Sequence, residues 1–191
     1  MHDIQHHIRT LTSGDDAQAE TAVRALAKAG EAALPALQEL LASPDADTRW
    51  WAAWALSSLT LPGASVLLRG LLKDPDLSVR QCAALGLREQ PTPQAVPDLI
   101  ELLMEEEPIL VRLAGAALIA VGKEAVPALL ELYRDGPHRA RLESVRTVAA
   151  IGDERAIGTL FEAFQSDSAI MEYWANEGLE RLGIGMVFFN P

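Results

Sequence analysis

The chain has 191 residues, 49% hydrophobic but only 5% aromatic, with 27 acidic against 16 basic side chains and a formal net charge of −11. That apolar content supports a sizeable core, while an acidic chain is repelled by phosphate backbones and anionic lipid, so neither nucleic-acid nor membrane-surface binding is expected. Cys82 is the single cysteine, which excludes an intrachain disulfide and a cysteine-rich metal site; beside Ala83 and Ala84 it reads as a small packed side chain. No apolar run approaches the roughly 20 residues needed to span a bilayer. The segment Met1–His7 lacks the apolar core of a signal peptide, so the expected location is the cytoplasm.

Taken in order, the chain reads as helices only. Ile4 to Leu11, followed by Ser13-Gly14-Asp15, predicts a lone helix over about 3–13. An apolar stripe then recurs about every thirty residues, in segments beginning at Pro35, Val66, Pro97, Pro127 and Gly158. Leucine or another apolar residue fills the third, sixth and seventh places, and proline stands at three of the five starts, where its missing N–H is harmless. These are the B helices. Between them lie A helices marked by a cation at Arg49, Arg80, Arg112 and Arg141, with Glu172 in the fifth copy. Small or apolar residues follow at fixed places, as in Ala52, Ala53 and Leu56 or Ala83, Ala84 and Leu87, and allow close helix approach. Turn signals such as Gly30, Pro62-Gly63, Gly122 and Gly152-Asp153 separate A from B, and loops such as Asp74-Pro75-Asp76 precede each A helix.

The order is therefore B, five A–B pairs over about 15–43, 45–74, 76–105, 108–135 and 137–166, and a last A helix with an apolar tail over 168–191. No linker or composition shift divides it, so 1–191 is expected to be a single domain. The tail residues Val187, Phe188 and Phe189 are expected to fold back as a cap on the last A helix, which has no B partner. A docking segment for a second subunit is the competing reading.

Asp74-Pro-Asp-Leu-Ser-Val-Arg80 followed by Ala83-Ala84 resembles the HEAT repeat, in the short form of phycobilisome lyase-type proteins, and the resemblance covers about residues 3–182. It implies an all-α fold, a right-handed α-α superhelix or HEAT-like solenoid of about five helix pairs with a lone helix at each end. It places A helices on the convex side and B helices on the concave one. It also implies that Arg49, Arg80, Arg112 and Arg141 are structural. Physical chemistry agrees, because a cation near a helix N-terminus opposes the macrodipole and needs a compensating acid. The candidates stand four or six residues earlier, Asp45 for Arg49, Asp74 or Asp76 for Arg80 and Asp135 for Arg141, forming an ion-pair ladder between repeats; for Arg112 the nearby acids are Glu105, Glu106 and Glu107.

No chemistry is marked. His2, His6, His7 and His138 share no helical face with a second ligand, so no metal site and no cofactor are expected. Di-iron HEAT-repeat hydroxylases are excluded as close relatives. There is no phosphate loop, nucleophile elbow or cysteine–histidine pair. Two surface features remain. The fifth place of the B helices holds Glu39, Gly70, Glu101, Glu131 and Glu162, an exposed acidic column suited to a basic peptide. Trp50, Trp51 and Trp54 cluster on one A helix, either as an aromatic anchor for a partner or as packing beneath the Thr60–Ala64 turn or against the first repeat. The expected function is a non-enzymatic scaffold that binds a protein or basic peptide through its B-helix face. The resemblance keeps a bilin lyase-type or pigment-protein degradation role as the alternative. A DNA alkylation-repair-like role is disfavoured by the charge.

Overall fold

Each A helix needs partners for the free amides of its first turn, and short polar side chains supply several of them. In the computed structural model of the chain, which describes residues 2–184, Asp15 accepts from the Gln18 amide, Asp45 from Thr48, Asp76 from Ser78 and Val79, and Ser168 from Met171. B helices start instead with proline in the first turn, at Pro35, Pro62 and Pro127.

The described residues form α-helices and short 3-10 turns, without strands. The helices are α1 (His2–Leu11), α2 (Asp16–Ala29), α3 (Leu34–Leu40), α4 (Ala46–Ser57), α5 (Pro62–Leu71), α6 (Leu77–Glu89), α7 (Val96–Leu102), α8 (Pro108–Val121), α9 (Val126–Asp135), α10 (His138–Ile151), α11 (Ile157–Phe164) and α12 (Ala169–Arg181). That is the order the repeats predict: α1 a lone B helix, then five A–B pairs, then α12 as a last A helix. The fold is all-α and built from helix-pair repeats. It divides into two compact units, Met1–Ala95 and Val96–Pro191.

In the first unit the A helices α2, α4 and α6 pack side by side, with α1, α3 and α5 forming the second layer. The stripe leucines Leu37, Leu68 and Leu72 are buried between the layers with Leu26, Leu56 and Leu87 from the A helices. Alanines at Ala52, Ala53, Ala83 and Ala84, all fully buried, let α4 and α6 approach. Gly86 marks the tightest point, where a Cβ would stand 2.9 Å from both Leu68 Cδ1 and Ser57 Cβ. Gln90, just past α6, ties the two A helices together by donating to the Leu56 and Ser57 carbonyls at 2.9 Å.

The second unit repeats the scheme, with α8, α10 and α12 in one layer and α7, α9 and α11 in the other. Leu99, Leu103, Leu129 and Leu160 fill the interface with Leu110, Leu118, Val145 and Leu179. A Cβ on Gly178 would meet the Ala149 Cα at 2.9 Å, so α12 lies against α10 as α6 lies against α4. After α12 the Ile184 amide donates to the Leu179 carbonyl at 2.9 Å and ends the helix. The apolar tail with Val187, Phe188 and Phe189 lies outside the described residues.

Candidate partner-binding surfaces

The A-helix arginines occupy equivalent places but different surroundings. Arg49 sits at the fourth position of α4 and is 8% exposed. Its Nε and Nη2 donate to the Asp74 carboxylate at 2.7 and 2.8 Å, while Nη1 donates to the Ser43 and Pro44 carbonyls at 2.9 and 3.2 Å. Asp74, also 8% exposed, belongs to the loop before α6, so the bond joins consecutive A helices. The Arg49 hydrogen bonds hold the Asp74 carboxyl below the usual carboxylate range and raise the arginine in turn. Asp45 and Asp76 act as helix caps; hydroxyls of Thr48 and Ser78 donate to them and lower both carboxyls. Arg80 Nη1 donates to the Asp74 carbonyl at 2.9 Å. Arg112 is exposed, and among the described residues it forms no ion pair. Asp135 takes the exposed Arg134 at 2.9 Å, and Arg141 lies instead over the Tyr133 ring, 5.0 Å from its centroid.

Glu39, Glu101, Glu131 and Glu162 are all exposed, and so is Gly70 in the same column. Beside this column runs the fourth place of each B helix, which sequence reasoning passed over. In the second unit it holds Ile100 and Leu130, both half-buried, and Phe161, which is 37% exposed. In the first unit the same place holds exposed Gln38 and Arg69. The signal was present in the sequence, but the stripe of third, sixth and seventh places already accounted for each helix's buried face. The B layer of the second unit thus offers an acidic column and an apolar column at adjacent helical positions. Between α9 and α11 it opens into a cleft of about 440 Å³ lined by Leu130, Glu131, Tyr133, Arg134, Arg141, Thr159 and Glu162.

Trp50, Trp51 and Trp54 are half-buried on α4 and form one cluster. Trp51 and Trp54 stack with centroids 5.1 Å apart and planes 14° off parallel, while Trp50 meets both edge-on at 5.1 and 5.2 Å. A second aromatic pair, Tyr173 and Trp174 on α12, has Arg146 of α10 placed 5.6 Å over the Trp174 ring. Tyr173 is 55% exposed. Cys82 is packed, and burial pushes its thiol up to about 12, which leaves no thiolate at neutral pH. Among the described residues no group of three or more histidine, cysteine, aspartate or glutamate side chains could hold a metal ion. His7 pairs with Asp3 at 3.1 Å, one turn away on α1, so contrary to the sequence expectation it does share a helical face with a second possible ligand, though the two stop short of a set of three. No helix of the described residues is long and apolar enough to cross a membrane.

Comparison with known proteins places this geometry. A family model of HEAT repeats matches residues 5–76. The beta subunit of phycocyanobilin lyase from Nostoc sp. strain PCC 7120 is 35% identical over 99 residues, which is 52% of this chain and 48% of that one. The bilin biosynthesis protein RpcF of Synechococcus sp. strain WH8020 is 34% identical over 87 residues, 46% of this chain and 42% of that one. The chain thus spans less than half the length of these curated relatives. Among solved structures, the complex of CpcE and CpcF of phycocyanin lyase from Nostoc sp. PCC 7120 is similar with a TM-score of 0.56 and 24% identity, covering 94% of this chain and 77% of that one. A designed armadillo repeat protein in complex with the peptide (KR)4 is similar with a TM-score of 0.58 and 19% identity, covering 94% of this chain and 99% of that one.

Proposed function

From the premise that the chain is a HEAT-repeat protein, with short repeats of the phycobilisome lyase type, we propose that it is a non-enzymatic cytoplasmic module that binds a protein segment on its B-helix face. The observation that carries this reading is the pair of adjacent columns on α7, α9 and α11: Ile100, Leu130 and Phe161 beside Glu101, Glu131 and Glu162. A partly exposed apolar row alone would be a liability to solubility, and a glutamate row alone is ordinary helix surface. Together they complement a basic amphipathic segment, whose apolar side chains cover the first row while its cations face the second. Neighbouring packed helices sit about 8–10 Å apart, so consecutive glutamates meet cations about three residues apart on an extended chain. The designed armadillo protein, of the same fold class, holds an alternating lysine–arginine peptide. Reversing Glu101 and Glu131 to lysine tests the proposal, with a labelled leucine–lysine peptide as probe. Affinity is expected to fall at least tenfold and to lose most of its salt dependence; unchanged affinity would discard the surface.

A second reading is favoured by the sequence relatives rather than by the surface. Two of them are a bilin lyase subunit and a bilin biosynthesis protein, and CpcE and CpcF form a complex. On that reading the partner is a second repeat subunit, and the pair handles a bilin. Mixing the chain with phycocyanobilin, alone and with a candidate partner subunit, tests it by the appearance of a shifted visible absorption band. No shift in either mixture argues against it.

A further inference from the structure

We propose that the cleft between α9 and α11 is a two-signed subsite in which Arg141 selects a carboxylate in the bound segment, next to cations held by Glu131 and Glu162. The inference rests on the B-face reading above and specifies it.

Arg141 and Arg49 differ in what holds them. Both stand at the fourth position of an A helix, α10 and α4. Arg49 is consumed: the acid that takes it, Asp74, stands 25 residues further along the chain. The equivalent place for Arg141 is Ser166, a neutral side chain. The Ser166 hydroxyl and the Arg141 Nε are both buried, and neither has a hydrogen-bond partner among the described residues. Asp135, the last residue of α9 and the acid that spacing assigns to Arg141, is engaged by Arg134 through bonds of 2.9 to 3.1 Å. Arg141 is therefore a cation released from the loop contacts that hold Arg49. It rests on the Tyr133 ring and lines the cleft. With Nε buried, the outer Nη1–Nη2 edge of the stacked guanidinium is the one left to the cleft, and a planar carboxylate matches it end-on.

Glu131 and Glu162 line the same cleft, so a lone small anion meets two like charges there. A segment carrying both signs does not. Its carboxylate docks on Arg141 while a neighbouring lysine or arginine faces the glutamates. A uniformly basic segment, in contrast, brings a cation against Arg141. The cleft thus sets the register of the partner along the B face.

The test uses the full chain and labelled twelve-residue leucine–lysine peptides, in which glutamate or glutamine replaces one lysine at each position in turn. At one position the glutamate peptide is expected to bind about tenfold tighter than its glutamine twin. R141Q should bring that ratio to one while leaving the all-basic peptide bound at least as well. S166D supplies the acid that Asp74 supplies to Arg49; it should capture Arg141, raise Tm and erase the glutamate preference. A preference that survives R141Q or S166D, or the absence of any glutamate preference in the native chain, overturns the proposal. The outcome is separable from failure of the surface itself. If the double reversal of Glu101 and Glu131 leaves every peptide unaffected, the B-face reading falls; if it weakens all of them and R141Q changes no ratio, only the two-signed subsite falls.

Discussion

Arg49 and Asp74 face each other through two parallel hydrogen bonds of 2.7 and 2.8 Å, joining the first turn of α4 to the loop that starts α6. Both side chains are nearly buried, at 10% and 5% exposure, so each would be left as an uncompensated charge without the other. D74N and R49Q should therefore each lower Tm by roughly 5–10 °C, read by thermal melting. Replacing both by apolar residues of similar volume should restore much of the loss, because the remaining desolvation is then removed as well. The pair also has a pH signature. The Asp74 carboxyl is depressed in the folded state, so its contribution is complete above the ordinary value of 3.8 and fades as pH falls through the folded value. D74N should flatten the acid limb of stability against pH.

How much of this was legible beforehand differs by level. The alternation of A and B helices follows from residues repeated in place, and α3, α5, α7, α9 and α11 fall on the five predicted stripes. Asp45 and Asp76, picked out by spacing as candidates for the ion-pair ladder, stand immediately before α4 and α6 and cap them. The partner of Arg49 is a different matter, since it depends on which loop of the next repeat comes alongside. Sequence spacing points to Asp45, four residues before Arg49, whereas packing brings up Asp74, 25 residues further on, and leaves Asp45 to cap α4. The cleft at Arg141 needed the same information twice, once for the serine at 166 and once for the way Asp135 turns to Arg134. The apolar column of Ile100, Leu130 and Phe161 was hidden because apolar residues on a helix are assigned to the core by default.

Asp153 gives a second pH prediction. It is 6% exposed, and Arg155 donates to it from both its side chain and its amide, holding the carboxyl at about 2. The folded value lies below the unfolded one, so the unfolded chain binds the extra proton first. Stability from this contact is present above about pH 4, using the model-peptide value for the unfolded chain. It declines as pH falls toward 2. Arg155 also donates to the Lys123 carbonyl at 2.7 Å, tying one A–B turn to the next. Urea midpoints measured between pH 7 and 2.5 should fall less steeply in D153N than in the native chain.

The close approaches between A helices predict a graded alanine series. At Gly178 a new Cβ meets the Ala149 backbone, which cannot step aside, so G178A should cost about 2–3 kcal/mol. At Gly86 one neighbour is the tip of Leu68, though Ser57 Cβ stands equally close, and G86A should cost about 1–2 kcal/mol. Gly70 lies inside α5 with nothing within 4 Å of the added atom, so G70A should stabilise by about 0.5–1 kcal/mol through helix propensity. Urea denaturation of the three variants checks the ranking, and a stabilising G178A would contradict the stated packing of α12 on α10.

The tryptophans on α4 admit a test that separates packing from recognition. Trp51 and Trp54 stack at 5.1 Å, close enough for their indole transitions to couple, so each single alanine variant should lose the same circular-dichroism couplet. A half-buried tryptophan covers roughly half of its 150–250 Å² against neighbours, so W51A and W54A should each cost about 2–3 kcal/mol. The double variant should cost less than their sum by about 0.5–1.5 kcal/mol, the part that belongs to the aromatic pair. Trp50 meets both rings edge-on, so W50F should disturb the stacked pair while leaving the Cys82 thiol on the Trp50 backbone carbonyl. If the cluster serves packing alone, partner affinity in W51F and W54F should follow the residual stability of the fold. An anchor for a partner would instead lose affinity in variants whose melting temperature is unchanged, because a binding surface contributes to the complex and not to the free chain.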